Sequence, residues 1–395
     1  MPRAQTSKPF TDRVTPLRPE GAYAVLAQAQ ALEAQGRKIV HLEIGQPDFP
    51  TPANVSEAGI AAIRLGKTKY TAPAGIPQFR EIIADHAGNK RGLNIDPAQV
   101  VVSSGSKPGL FFPTLALVAP GDEVLYPDPG FPTYEAMIRV AGGIPVPIPL
   151  QEENQFSFDL DVLDAKISDR TKLIVLNSPG NPTGGVIPLG DLKHIAEQAN
   201  RHNCWVLSDE IYTQLVYDSA AAHSIAEVDG MMERTIIVDG FSKTYSMTGW
   251  RLGYMIAPVA LAERLELLIT HATGCSAAFT QYAGMQALTG PQDFVAEMVT
   301  EYQRRRDRMV ELVNAIPGVH AQKPQGAFYV FPNVKAYGLS SKEIATRLIG
   351  EAGVAILAGT DFGSGGEGYI RLVYAVSMET IEEGVEKIAA WFKSL

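Results

Sequence analysis

The stretch that decides the fold is KLIVLN at 172–177, followed by CWVLSD at 204–209 and by TIIVD at 235–239, after which comes GFSK at 240–243. Each apolar run is short, rich in β-branched residues and closed by polar side chains, which is typical of a strand buried on both faces of a sheet. A fourth run of this kind, QVVVS, lies at 99–103. Helical patterns such as 188–203 lie between the runs, so the sequence predicts a wound, mostly parallel α/β sheet.

Polar residues follow all four runs and predict where a ligand binds. In open α/β sheets, ligands lie beyond the carboxyl ends of the strands. The residues at these ends are Gly105, Ser106 and Lys107, then Asn177, then Asp209 and Glu210, and finally Ser242 and Lys243. We therefore expect these four ends to form one site.

The pattern changes on both sides of the predicted sheet, and 395 residues are more than one core usually needs. A helical pattern at 20–35 and a strand pattern at 39–44 precede it, and a long charged helix from about 291 leads to short strand patterns. The short strand patterns lie at 328–331, 354–357 and 369–373. We predict an N-terminal arm and part of a small domain at 1–48, a large domain at 49–290 and a small α+β domain at 291–395.

The composition argues against several classes of protein. A formal net charge of −9 disfavours a nucleic-acid groove or an anionic membrane as the main partner, so local cations must bind any anionic ligand. Cys204 and Cys275 are too few for a disulfide framework or a thiolate metal site. The first residues lack an apolar signal segment, and no apolar run reaches membrane-spanning length. These features favour a cytoplasmic protein.

Lys243 is the first candidate for a chemical role. A lone lysine is more often a solvated surface charge, but here Ser242 precedes it and Arg251 follows eight residues later, within SKTYSMTGWRLGY at 242–254. A hydroxyl and a guanidinium beside an amine could hold a phosphate. A phosphorylated pyridine aldehyde needs this combination, because its aldehyde forms an imine with a lysine and its phosphate needs donors.

The ring of such a cofactor also needs an acid and a phenolate donor. Asp209 could keep a proton on the pyridine nitrogen, because a poorly solvated carboxylate favours a neighbouring cation. Tyr212, three residues later, could donate to the phenolic oxygen. An aspartate after a strand is also commonly a turn or helix cap, and the two roles can coexist.

Two loops offer further contacts. Asn181 lies in NSPGNPTG at 177–184, where prolines and glycines predict a rigid turn, and it is a candidate donor to the phenolic oxygen. Asparagines in such turns more often cap their own backbone. Gly105, Ser106 and Lys107 begin an apolar helix whose first N–H groups could cradle phosphate oxygens.

A glycine-rich run at 363–368 matches the spacing of a dinucleotide-binding fingerprint. It leads into the strand pattern YIRLV at 369–373 rather than into a helix. We interpret it as a flexible loop, which disfavours a nicotinamide-dependent oxidoreductase.

Together, the runs at 242–254 and 177–184, with SDEIY at 208–212, resemble the class I/II aminotransferases of PLP fold type I, in the aspartate aminotransferase superfamily. The resemblance covers nearly the whole chain. It implies a three-layer α/β large domain with a mostly parallel sheet, a smaller α+β domain, pyridoxal 5'-phosphate (PLP) as the cofactor of Lys243, and a homodimer.

The resemblance also implies roles that the residues alone do not indicate. Arg371 is expected to bind the α-carboxylate of the substrate, and Gly45 and Asn181 to line the substrate pocket. Tyr70 is expected to reach the cofactor phosphate of the neighbouring subunit. Phe131 matches the position that stacks on the cofactor ring.

Phe131 and Lys107 give opposing indications about the substrate. Many relatives carry tryptophan or tyrosine where this chain has Phe131, and the missing indole N–H weakens an aspartate assignment. Lys107 favours it, because a lysine in this loop is implicated in binding the distal carboxylate in some bacterial aspartate aminotransferases. A cation beside the phosphate is an equally good interpretation of Lys107.

We therefore expect a ping-pong transfer of the amino group from an L-amino acid, aspartate first, to a 2-oxo acid such as 2-oxoglutarate. Aromatic or neutral aliphatic donors are the second choice. Another enzyme of the same fold, such as a β-lyase, a synthase or a decarboxylase, would share every cofactor contact. An aminotransferase-like regulatory protein that only binds a ligand is the alternative outside enzymes.

Overall fold

The structure is a computed structural model that describes residues 11, 13–15 and 17–395. Its strands are β1 (Val40–His41), β2 (Val100–Ser103), β3 (Glu123–Asp128), β4 (Ile144–Gln151), β5 (Ser157–Phe158), β6 (Thr171–Asn177), β7 (Trp205–Asp209), β8 (Thr235–Gly240), β9 (Gly253–Ile256), β10 (Tyr329–Val330), β11 (Val354–Ala355), β12 (Leu357–Ala358) and β13 (Ile370–Val373). The first ten residues of the predicted N-terminal arm lie outside the described residues.

Twelve α-helices accompany these strands in the described part of the chain. They are α1 (Gly21–Glu33), α2 (Ala53–Arg64), α3 (Pro77–Arg91), α4 (Lys107–Leu117), α5 (Thr133–Ala141), α6 (Leu160–Lys166), α7 (Leu189–Arg201), α8 (Val259–Ala272), α9 (Ala278–Thr289), α10 (Asp293–Asn314), α11 (Ser341–Arg347) and α12 (Met378–Lys393). None of them combines the length and the apolar character needed to cross a membrane.

The central sheet has eight strands in the order β2-β9-β8-β7-β6-β3-β4-β5. The five strands from β8 to β4 run parallel, whereas β9 is antiparallel to both of its neighbours and β5 is antiparallel to β4. The prediction of a mostly parallel α/β sheet is confirmed. The parallel strands carry their carboxyl ends, and hence the predicted polar residues, to one edge of the sheet.

Helices cover both faces of this sheet and form three layers. Successive residues of β6 face opposite sides: Val175 packs into a cluster with side chains of α4, α5 and α8, and Ile174 into a cluster with side chains of α6 and α7. Strands buried on both faces must be apolar at every position, which explains why the four predicted runs lack a polar alternation. All four are strands, with bounds that differ from the prediction by one residue at most.

Four strands of the central sheet were not predicted. Three prolines, Pro145, Pro147 and Pro149, interrupt β4, and proline normally argues against a strand because it removes a hydrogen-bond donor. The short β9 and β5 offer too few residues for a periodic signal. The polar ends of β3 obscure its apolar centre.

The remaining strands form two small sheets. β1 pairs in parallel with β11, and β10, β13 and β12 form an antiparallel sheet. The predicted strand at 39–44 is therefore only Val40–His41, and the one at 354–357 is divided between β11 and β12. The long charged helix is α10, and it packs with α12.

The glycine-rich run at 363–368 is a loop that leads into a strand, as predicted. A single 3-10 turn, Ser364–Gly366, precedes β13. Asp128 accepts hydrogen bonds from Ser364 Oγ and from the Gly365 amide, both at 2.9 Å. Since no helix follows the glycines, the run is not a dinucleotide-binding turn.

Candidate active site

The carboxyl ends of β6 and β7, the loop after β8 and the first turn of α4 open into one cavity of about 540 Å³. Its volume lies within the range of about 300–1,000 Å³ that is common for small-molecule sites. The predicted site residues that line it are Gly45, Ser106, Lys107, Phe131, Asn181, Asp209, Tyr212, Ser242, Lys243, Arg251 and Arg371. Two others, Gly105 and Tyr70, do not line it.

Lys243 lies in the loop after β8, and its amine is buried. The Nζ atom donates a hydrogen bond to the Gly45 carbonyl and lies 5.9 Å and 5.4 Å from the ring centroids of Tyr212 and Phe328. Burial, reinforced by the positive charge of Arg371, lowers the pKa of Lys243 to about 8. A substantial fraction of the amine is therefore neutral near pH 8, as a nucleophile or a base requires.

Asp209 ends β7 and is buried at the floor of the cavity. Its Oδ2 atom accepts a hydrogen bond from the Tyr134 hydroxyl at 2.8 Å, whereas its capping contact with the Ile211 amide is long, at 3.4 Å. Burial raises the pKa of Asp209 to about 6, and the hydrogen bonds from Tyr134 and Ile211 only partly oppose this effect. A cation beside the carboxylate would stabilise its charged form, which is what a protonated pyridine nitrogen provides.

Asp209→Asn should stabilise the cofactor-free protein more as the pH rises. The folded-state pKa of about 6 exceeds the ordinary value of 3.8, so the contribution of protonated Asp209 is complete below about pH 4 and is lost as the pH rises through 6. The variant's advantage in free energy of unfolding should grow by roughly 3 kcal/mol between pH 4 and pH 8. Urea denaturation at both pH values measures it. The exposed Asp229→Asn is the matched control, and a pH-independent difference for Asp209→Asn would refute the assignment.

Arg371, on β13, is a buried cation with one unused donor. Its Nη1 atom donates to Asn181 Oδ1 at 3.1 Å and its Nη2 atom to the Glu43 carbonyl, but its buried Nε has no hydrogen-bond partner in the described part of the chain. Burial lowers the pKa of Arg371, and the neighbouring tyrosines and the charges of Glu20 and Glu43 only partly oppose this effect. Because Arg371 lines the cavity, its buried guanidinium is suited to an incoming carboxylate.

The loop before α4 and the turn after Lys243 form a close-packed cradle. A Cβ atom on Gly105, whose φ is +86°, would lie 2.9 Å from Arg251 Cζ, so only glycine lets the guanidinium approach the loop. Arg251 itself has a φ of +55°, an uncommon conformation for a residue with a side chain and one that occurs at ligand sites. Ser106 and Ser242 supply hydroxyls to the same cavity.

Three contacts of the site were not predicted. Tyr134 holds Asp209, and the Tyr329 hydroxyl lies 2.7 Å from that of Tyr212. Glu20, just before α1, forms an ion pair with Lys107 at 2.7 Å. Only Tyr134 had a local signal, because it lies three residues after Phe131 in the first turn of α5.

Tyr70 is 95% exposed in the single chain. Its predicted contact with the phosphate site of a neighbouring subunit stays a prediction.

Similarity to known proteins extends over nearly the whole chain. The model of the family "Aminotransferase class I and II" matches residues 37–388. A probable aspartate/prephenate aminotransferase of Aquifex aeolicus is 40% identical over 387 residues, which cover 96% of this chain and 98% of that protein. An aromatic-amino-acid aminotransferase 2 of Thermococcus litoralis is 38% identical over 382 residues, 96% of this chain and 97% of that protein.

The solved structures agree with the sequence comparison. An aspartate aminotransferase from Thermus thermophilus with maleate matches this chain with a TM-score of 0.93 and 37% identity. The match covers 97% of this chain and 99% of the other.

Proposed function

Because the chain belongs to the class I and II aminotransferases, we propose that it transfers the amino group of an L-amino acid, aspartate first, to a 2-oxo acid such as 2-oxoglutarate. The family uses pyridoxal 5'-phosphate, whose aldehyde takes the amino group and whose ring accepts electron density from the substrate Cα. The observation that carries the proposal is one cavity that is lined by both Lys243, with its amine, and the buried guanidinium of Arg371.

The residues of the cavity fit this cofactor. Asp209 would pair with the ring nitrogen, and Asn181 and Tyr212 would donate to the phenolic oxygen. Phe131 would pack on the ring face. The phosphate would be held by the serine hydroxyls, by the guanidinium of the cradle and by the first N–H groups of α4, where an anion is favoured. The serines and arginine of this cradle are Ser106, Ser242 and Arg251, and Gly105 allows the close approach of Arg251.

Substrate binding and proton transfer fall to two other residues. Arg371 would bind the α-carboxylate through its guanidinium and orient the Cα–H bond beside Gly45. The neutral amine of Lys243 would take the proton from the substrate Cα and return it at the C4' carbon of the cofactor. The rings of Tyr212 and Phe328 lie beside Nζ and make the surroundings of this transfer partly apolar.

Two features support the proposed substrates. Lys107 lies on the cavity wall, where its ammonium could meet a distal carboxylate, and the Thermus thermophilus structure holds maleate, which is a dicarboxylate. Leu26, Tyr23 and Phe131 line the cavity as well and favour apolar side chains, so aromatic donors are the second candidate. The Thermococcus litoralis relative acts on aromatic amino acids by its name.

Single amino acids should bleach the absorbance of the bound cofactor without any oxo acid. Each common amino acid is mixed with the PLP-loaded protein, and the spectrum and the product are recorded. A transaminase converts the cofactor to pyridoxamine phosphate in a 1:1 ratio, whereas a β-lyase, a synthase or a decarboxylase releases its product and regenerates the aldehyde. We expect stoichiometric conversion, fastest with aspartate. No conversion with any amino acid would refute the proposed function.

We also propose that the protein is a cytoplasmic homodimer with the predicted division into 1–48, 49–290 and 291–395. The pairing of β1 with β11 supports an N-terminal segment that joins the C-terminal part. The exposed side chains of Leu65 and Tyr70, which are 75% and 95% exposed, support a covering partner subunit. Sedimentation of the holoenzyme at twice the monomer mass would test the dimer.

A further inference from the structure

An ion pair lies on the wall of the active-site cavity. Lys107 begins α4, and its Nζ atom lies 2.7 Å from Glu20 Oε2; both side chains line the cavity and remain partly exposed, at 43% and 27%. The Phe131 ring centroid is 5.3 Å from the same ammonium. A cation that could attract an acidic side chain of the substrate is therefore already paired with a carboxylate of the protein.

The position of Glu20 follows from the packing of α1. The next residue, Gly21, begins the helix, and a Cβ atom there would lie 2.7 Å from Asp361 Cγ. Only glycine allows the helix to start so close to Asp361, which also lines the cavity. The close approach holds the Glu20 backbone beside the cavity, while the carboxylate can turn from Lys107 towards water.

The charge of Glu20 acts inside the cavity as well as at Lys107. Burial lowers the pKa of both Lys243 and Arg371, and the negative charge of Glu20 opposes this lowering at each of them. Glu20 is therefore close enough to the reacting groups to affect bound substrate.

We propose that Glu20 determines substrate specificity: its carboxylate pairs with Lys107 when the substrate side chain is neutral, and it yields Lys107 to the distal carboxylate of an acidic substrate. The inference rests on the proposed aminotransferase function and specifies how one cavity serves acidic and neutral amino acids.

The exchange is favourable for both substrate classes. A neutral or aromatic side chain that covered an unpaired ammonium would remove water from a bare charge, which is costly, but it covers a neutral pair when Glu20 is in place. An acidic side chain replaces one carboxylate with another, while Glu20 turns to solvent. Ion pairs this exposed are weak, so breaking the pair of Glu20 with Lys107 costs little free energy.

Glu20→Gln should change kcat/KM in opposite directions for acidic and for neutral substrates. Lys107 is then free for acidic substrates and unpaired beneath neutral ones. We expect kcat/KM in the half-reaction to rise by about threefold for aspartate and glutamate and to fall by about threefold for phenylalanine and leucine, a shift of about tenfold in their ratio. Stopped-flow absorbance of the PLP-loaded enzyme measures both values.

Glu33→Gln is the matched control. Glu33 ends the same helix, pairs with His41 and does not line the cavity, so this variant should keep the wild-type ratio. In a Lys107→Gln background, Glu20→Gln should shift the ratio by less than twofold, because the partner that the exchange requires is gone and only the weaker, direct effect of the Glu20 charge remains.

The outcomes separate this inference from the proposed function. A ratio within twofold of wild type in Glu20→Gln, or an equal fall for both substrate classes, would overturn the specificity role and leave the aminotransferase function intact. If no amino acid converts the cofactor in the wild-type protein, the proposed function fails and the inference fails with it.

Discussion

Replacement of Lys243 by alanine is expected to leave a folded protein that binds PLP but does not transfer amino groups. The contacts proposed for Asp209 and Arg251 with the cofactor do not depend on the lysine, so binding should persist in a weaker, non-covalent form. The proton transfer at the substrate Cα loses its base, and kcat should fall by at least about 10⁴-fold. Steady-state turnover and cofactor absorbance measure the two effects.

Rescue by a small amine makes this test specific. The alanine variant leaves space beside the Gly45 carbonyl, where Nζ now lies, and ethylamine added to the solution could take its place. We expect the added amine to restore part of the turnover. The restored rate should increase with the concentration of the neutral, unprotonated amine. An alanine at the exposed Lys67 is the matched control and should change neither property. Wild-type turnover of Lys243→Ala would overturn the assignment of the base.

Arg91→Ala is expected to cause the largest loss of stability. Arg91 is buried at the end of α3, where its Nη2 and Nε atoms bind Glu210 Oε2 at 2.6 Å and 2.9 Å, and Nη2 lies 3.5 Å from Asp239 Oδ2. Removing a guanidinium that contacts both carboxylates leaves two buried negative charges without this cation, which costs about 3–5 kcal/mol. A loss of this size is a large part of a typical free energy of unfolding. The shift of the urea midpoint measures it.

The partner of Arg91 offers an internal control. Burial alone would raise the pKa of Glu210, but Arg91 and hydrogen bonds from Ser224 and Ser208 hold it below its ordinary value. Glu210→Gln in the Arg91→Ala background should therefore recover part of the lost stability, because the unpaired charge is removed. A variant at the exposed Arg304 should unfold like the wild type. Equal midpoints for Arg91→Ala and wild type would show that the buried pair contributes little.

The fold class was largely predictable because buried parallel strands leave a strong local signal. A strand covered by helices on both faces is apolar at each position, and its polar end marks the edge where ligands bind. β6, β7 and β8 follow this rule. β4 does not, because its three prolines contradict a strand locally, and only the pairing with β3 and β5 stabilises it.

The chemistry of the site was also partly local. The predicted placement of Lys243, Asp209 and Arg251 at one cavity is what the structure shows, since each follows a strand end or a turn that its own motif defines. Their roles stay proposals that the variants above test.

By itself, the sequence therefore determined the class of the sheet, the edge that holds the site and the side chains with reactive groups. Only the tertiary structure decided what these side chains contact: Tyr134 holds Asp209 across 75 residues, and Glu20 neutralises Lys107 across 87. No local pattern encodes such pairs, because they depend on how α1, α4 and α5 pack around the sheet edge. The charge that a substrate meets at Lys107 is thus a property of the packed fold rather than of the motif.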